Sequence, residues 1–324
     1  MLVYFLLSLA CAWGVILYSK RAQLFLDNAH KPQGFHTQKT PRAGGLGVFL
    51  VFVWGGWGSV WMLLGAILVF VSGFLEDMNR PLSPKRRLCL QSLGAGLVIL
   101  LSPLILSDFS PLFSVPLWIA LPLSVFMLVG VINAMNIIDG FNGLAGGLSV
   151  AVLGILYAIE PNPTLLALLL GVLGFLTLNF PKGYIFLGDG GAYLLGFICG
   201  ASLMDLSLRG VVSVWFGLAL MIYPVTEVLF SIARRKLQKQ KATLPDALHL
   251  HTLLFKVLSR QNTPLNPNAL TGLAVVLLNI PFMLISFTCR HHPYALLGLI
   301  GVFVCGYLTL YQWLINHSKE SSCA

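Results

Sequence analysis

The sequence predicts an all-α, polytopic integral membrane protein of about eleven transmembrane helices, with its N-terminus outside and its chemistry-bearing loops in the cytoplasm. Three observations carry this. The 324-residue chain is 57% hydrophobic and 10% charged, where soluble domains carry about 25% charged residues. Apolar stretches of membrane length recur from one end to the other. The loops between them place Lys and Arg almost entirely on one side. No linker or charge run sets off a soluble segment and no repeat is visible, so residues 1–324 read as one membrane-embedded domain.

The first stretch, residues 1–18, has no basic residue ahead of it and is followed by Lys20 and Arg21. It reads as an uncleaved helix, although Leu9-Ala10-Cys11 weakly mimics a lipoprotein cleavage site. Stretches 43–57 and 60–75 form one apolar run interrupted only at Gly55-Gly56-Trp57-Gly58-Ser59, and ten crossings would follow if that break were not a turn. The remaining spans are expected at 88–106, 116–132, 144–159, 164–180, 191–206, 211–232, 269–288 and 294–315. Eighteen of the twenty Lys and Arg residues fall in loops 19–42, 76–87, 133–143, 181–190, 233–268 and 316–324, while the other side holds only Arg209 and Arg290. That asymmetry makes the first set cytoplasmic. The net charge of +9 is therefore a topology signal, and no nucleic-acid partner is expected. Six cysteines without CxxC or CxxH spacing read as small hydrophobes.

The same split sorts the acids. Asp27, Glu76, Asp77, Asp139, Asp189 and Asp246 all lie in cytoplasmic loops or at their membrane edges, among many cations. Carboxylates brought to one depth by different helices suit a divalent cation and phosphates, because magnesium takes one or two carboxylates plus substrate oxygens and Lys or Arg neutralises the rest.

The richest stretch is Asn133-Ala-Met-Asn-Ile-Ile-Asp-Gly-Phe-Asn-Gly-Leu-Ala-Gly-Gly147, polar between two apolar runs. Asn133, Asn136 and Gly140 share a face if it is helical, with Asp139 beside them and Asn142 following. Upstream, His36, Lys39 and Arg42 offer donors ahead of Gly44-Gly45. In loop 76–87 the adjacent Glu76 and Asp77 repel unless they share a cation. Ser83-Pro84 there reads as a helix N-cap that sets Lys85 and Arg86 on the first turn. Phe186-Leu-Gly-Asp189-Gly-Gly191 places one acid among three glycines. His249 and His251 share a face only in extended chain, and Leu250, Leu253, Leu254, Val257 and Leu258 suggest an amphipathic helix on the bilayer surface. The plainer reading of each motif is a tight turn or a solvated helix end. Glu227, inside a span near its cytoplasmic end, reads as a brace for the site or the partner of a basic neighbour.

In the order of these motif loops, and most specifically in N-x-x-N-x-x-D-G-x-x-G-L, the chain resembles the polyprenyl-phosphate N-acetylhexosamine-1-phosphate transferases, a superfamily that includes phospho-N-acetylmuramoyl-pentapeptide translocase. The resemblance covers roughly residues 27–255. It implies transfer of a sugar 1-phosphate from a UDP-N-acetylhexosamine to a polyprenyl phosphate such as undecaprenyl phosphate, with UMP released, in the bacterial cytoplasmic (inner) membrane. It implies Mg2+, with Mn2+ as a substitute, held by Asp189 and Asp77. Glu76, Asp77, Asp139 and Asp189 would be catalytic. Asn133, Asn136, Asn142, Phe186, His249, His251, Lys85, Arg42 and His36 would bind nucleotide or substrate, and a homodimer is compatible with the family. Glu76 replaces a usual Asp, Asn142 a usual acid, and His249-Leu-His251-Thr252 lacks a third imidazole. The Glu76-Asp77 and His249-Leu-His251 departures together resemble a surface-polysaccharide-initiating branch, with UDP-MurNAc-pentapeptide as the alternative substrate. The rival classes are an anionic-solute transporter or flippase, which would place ionisable groups near mid-membrane, and a scaffold, which leaves the polar loops unexplained.

Overall fold

The computed structural model describes residues 1–22, 24–26, 40–56, 58–239, 248–261 and 266–319. Asp27, His36, Lys39 and Asp246 lie outside the described residues. Helices occupy nearly every apolar stretch expected: α1 (Leu2–Ala22), α2 (Gly45–Gly55), α3 (Val60–Asp77), α4 (Pro84–Leu101), α5 (Leu117–Ile138), α6 (Leu144–Ile159), α7 (Pro163–Asn179) and α8 (Gly188–Leu208). They continue as α9 (Val214–Leu220), α10 (Ile222–Leu237), α11 (Leu250–Leu258), α12 (Pro267–Thr288) and α13 (Pro293–Lys319). Among the described residues a two-stranded antiparallel hairpin joins β1 (Asp108–Phe109) to β2 (Phe113–Ser114), and Leu26 forms an isolated antiparallel bridge with Pro41. The protein is a polytopic all-α membrane protein.

Among the described residues, six helices are individually long and apolar enough to cross a bilayer: α1, α3, α5, α8, α12 and residues Pro293–His317 of α13. The bent pair α9 and α10 is a seventh by length, while α2, α6 and α7 are shorter apolar helices. The Gly55–Ser59 break is a real interruption, with Gly56 at φ +98° and Gly58 at φ +69° and Ser59 capping the start of α3 through Met62 N–H. The single span expected over 211–232 is instead bent by 79° between Leu220 and Ile222. Pro224 accounts for it: a proline lacks the N–H that would bond the carbonyl of Leu220, and its ring crowds that carbonyl. Hydropathy runs unbroken through this point and carries no sign of the bend.

At the centre stands α8, apolar on every side and 78% buried over its spanning window, as a helix without a polar face must be. It packs against α2, α3, α5, α6 and α9. The ends of α3 and α5 and the starts of α2, α4, α6 and α8 therefore meet at one end of the bundle. The amphipathic helix expected on the bilayer surface is α11, and it is placed differently. Leu250 and Leu253 are buried, and the helix packs on α12 and α13 inside the protein.

Candidate active site

The site is built on the first turn of α8. Asp77, the last residue of α3, accepts the backbone N–H of Asp189 on Oδ1 and that of Gly190 on Oδ2, both at 3.0 Å. These are two of the donors that a helix N-terminus leaves unpaired, so a side chain distant in sequence caps α8. Residues 41–45 lace onto the same segment: Phe186 N–H donates to Pro41 O, Gly44 N–H to Phe186 O and Gly45 N–H to Leu187 O. Gly188 links the two arrangements at φ +80°, where a Cβ would run into Arg42 O and the Asp77 carboxylate. Gly188→Ala is therefore expected to destabilise the protein by more than the about 1–3 kcal/mol of a strained left-handed residue, read as a drop in the unfolding midpoint of detergent-solubilised protein.

With its backbone fixed this way, Asp189 offers both carboxylate oxygens to neighbours. Asn136 Nδ2 on α5 donates to Oδ1 at 2.9 Å, and Arg87 Nη1 on α4 donates to Oδ2 at 3.2 Å. The same Arg87 atom lies 3.6 Å from Glu76 Oε2. Arg42 reaches across to Glu76 O at 2.8 Å and Asn79 Oδ1 at 3.2 Å. Four helices thus meet around Asp189: α3 through Asp77, α4 through Arg87, α5 through Asn136, and α8 itself. Asp139 follows the last turn of α5, and loss of hydration together with the Asp189 charge pushes its carboxyl up to about 8, against the opposing pull of the Gly188 N–H.

Several expected residues sit elsewhere. Ser83 does cap α4, accepting from Arg86 N–H, but Lys85 and Arg86 are exposed and it is Arg87 that turns to the acids. Gln91, a buried polar residue one turn further along, marked that face in the sequence. Asn133 shares the face of Asn136, yet its carboxamide donates to Gln91 Oε1 and Val129 O, one turn deeper than Asp189. Asn142, expected in the substrate pocket, is buried. Its N–H donates to Asn268 Oδ1 and its Nδ2 to Pro181 O. Asn179 completes that knot, accepting from Gly143 N–H and donating to Ile185 O. Asn179 and Asn268 fall outside every motif read from the sequence. Phe186 is partly buried, three residues ahead of Asp189, and His36 lies outside the described residues.

His249 and His251 come together after all, because His249 is extended at φ −70°, ψ +148° and only His251 is helical. Their rings stack at 5.2 Å, and the Phe141 ring from the turn after Asp139 meets His251 edge-on at 5.4 Å. The histidine pair therefore borders the same turn that carries Asp139.

The acidic cluster offers a cation oxygen donors: the carboxylates of Glu76, Asp139 and Asp189 and the carboxamide of Asn136. Among the described residues, no three His, Cys, Asp or Glu side chains make a closed metal cage. An incomplete oxygen set suits magnesium, which completes its shell with water and substrate phosphates, and does not suit zinc. The crowding that raises Asp139 points the same way, since a bound cation would relieve it. Asp77, read from sequence as a ligand, gives one contact of each oxygen to the start of α8 and so holds Asp189, and each oxygen keeps a second lone pair.

The sequence profile described as glycosyl transferase family 4 matches residues 59–207, which include Asp77, Arg87, Asn136, Asp139 and Asp189. The chain is 33% identical over 284 residues to a probable undecaprenyl-phosphate N-acetylglucosaminyl 1-phosphate transferase of Bacillus subtilis, covering 78% of this chain and 76% of that protein. It is 27% identical over 256 residues to an undecaprenyl-phosphate alpha-N-acetylglucosaminyl 1-phosphate transferase of Thermotoga maritima, covering 76% and 78%. It is 33% identical over 252 residues to a phospho-N-acetylmuramoyl-pentapeptide-transferase of a Synechococcus strain, covering 68% and 73%. An acid-rich site at the meeting of membrane helices and this extent of shared sequence lead to one conclusion: the chain is a sugar-1-phosphate transferase that belongs to glycosyl transferase family 4.

Proposed function

We propose that the protein transfers N-acetylglucosamine 1-phosphate from UDP-N-acetylglucosamine to undecaprenyl phosphate in the bacterial cytoplasmic membrane. The products are undecaprenyl-diphosphate-N-acetylglucosamine and UMP, and the lipid-linked sugar starts a surface polysaccharide. In this reading the N-terminus is outside, eleven segments cross or dip into the bilayer, and the end carrying Asp189 faces the cytoplasm, where the basic loops place it. The observation that carries it is the convergence of Arg87, Asn136 and Asp189, with Glu76 and Asp139 alongside, at the ends of apolar helices. Such a site meets a soluble diphosphate and a membrane-bound phosphate at once.

The acceptor's phosphate oxygen bonds to the β-phosphorus as the bond from that phosphorus to the bridging oxygen breaks, and UMP leaves with the bridging oxygen. Arg87 offers a guanidinium to phosphate oxygens and bridges Asp189 and Glu76. Asn136 fixes the rotamer of Asp189. Asp139 lies beside Asp189, whose charge, with the loss of hydration, raises its carboxyl. A magnesium ion, held by Asp189 with Glu76 and Asn136 close by, would neutralise charge on the diphosphate.

The test is an assay of purified protein with radiolabelled UDP-N-acetylglucosamine and undecaprenyl phosphate. Label should enter lipid, stop on addition of EDTA and return with excess Mg2+ or Mn2+. Transfer from UDP-MurNAc-pentapeptide in preference would assign the protein to the muramoyl branch. Transfer unaffected by chelator would remove the cation from the account.

A further inference from the structure

One face of α10 carries Tyr223, Glu227 and Ser231 at successive turns, and all three engage the histidine segment. Tyr223 OH lies 2.9 Å from His251 Nδ1. Glu227 Oε1 lies 2.9 Å and Ser231 Oγ 3.2 Å from His249 Nδ1. Glu227 is wholly buried, and beyond His249 it accepts the N–H of Leu250 at 3.2 Å and the hydroxyl of Tyr307, from α13, at 3.0 Å. A carboxylate with no solvent access persists only when its lone pairs are met in this way. Because a carboxylate can only accept, Nδ1 of His249 carries the proton. The stacked His251, whose edge meets Phe141, ties that ring to the turn bearing Asp139.

We propose that Glu227 is a positioning residue for the transfer reaction: it fixes the tautomer and ring plane of His249 and, through the stacked His251, the ring that meets Phe141 on the turn bearing Asp139. The inference rests on the function proposed above. It differs from a purely structural part for Glu227, which would be to cap α11 through Leu250 and join α10 to α13. A cap alone would leave turnover per folded molecule unchanged.

Glu227→Gln keeps an acceptor for Leu250 and removes the charge that selects the tautomer. It is expected to lower kcat by about 10- to 100-fold, the usual cost of losing a carboxylate behind a working histidine, while KM for UDP-N-acetylglucosamine stays within about threefold. His249→Ala should lower kcat at least as far, and adding Glu227→Gln to it should cost less than about twofold more, because residues acting as one unit do not add. Equal losses in the wild-type and His249→Ala backgrounds, or an unchanged kcat, overturn the proposal. If Glu227→Gln does not accumulate, Glu227→Asp is put through the same cycle with the same criteria. A second readout needs no substrate: 15N-histidine NMR of the full-length protein, with His249 assigned by its loss in His249→Ala. A protonated Nδ1 that shifts in Glu227→Gln is expected, and a protonated Nε2 with bare Nδ1 overturns the proposal. Absence of transfer from any UDP-sugar by wild-type protein would count against the function, while the NMR would still decide the tautomer.

Discussion

Asp189→Asn is expected to lower transfer by about 10²- to 10³-fold or more, the scale of losing one charge-stabilising group aimed at a reacting centre, while the protein accumulates and melts as wild type does. The two halves of that expectation have separate causes. Activity falls because Asp189 is where α4, α5 and α8 converge and is the one acid held by both a guanidinium and a carboxamide. Stability holds because the Arg87–Asp189 pair leaves both side chains 26% exposed, so it contributes little, about 0–1 kcal/mol. Removing the charge also relieves Asp139. Paired measurements of label transfer and thermal unfolding in detergent check it, and a large fall in both would mean that Asp189 is structural.

Asp77→Asn is expected to behave in the opposite way, losing stability and activity together. Each of its oxygens receives a backbone N–H at the start of α8, and an asparagine can supply only one acceptor and turns an amide N–H toward the other donor. Loss of the cap and an unmet buried N–H should cost about 2 kcal/mol or more. Asp189 would then be set adrift on a frayed first turn, so residual activity should be low even in molecules that fold. The unfolding midpoint separates the two variants: lowered for Asp77→Asn, kept for Asp189→Asn. A midpoint unchanged in Asp77→Asn would show that the cap contributes nothing.

The helices were legible in the sequence because lipid demands long apolar stretches and little else satisfies that demand. Asp77, Asp139 and Asp189 could be grouped from sequence because only the cytoplasmic loops carried these acids among cations. What stayed hidden is informative. The bend before Pro224 leaves hydropathy untouched, since a bent apolar helix has the same composition as a straight one. The apolar face of α11 has the same pattern whether it meets lipid or α12 and α13, so periodicity could not choose. Arg87 was passed over for Lys85 because three consecutive cations differ only in angle around the helix, and that angle is set by which face of α4 meets α5. Asn142 belongs to the most recognisable motif but is taken up by Asn268 and Pro181, partners too distant in sequence to be inferred. Glu227 was seen as a brace, and its hydrogen bonds to His249, Leu250 and Tyr307 show what it holds.

The most direct measurement is an experimental structure of the full chain with UDP-N-acetylglucosamine bound. The account predicts the diphosphate beside Arg87, Asn136 and Asp189, with the sugar toward His249. A nucleotide seated away from Asp189, at the opposite end of the bundle near Glu160 and Arg209, would contradict it.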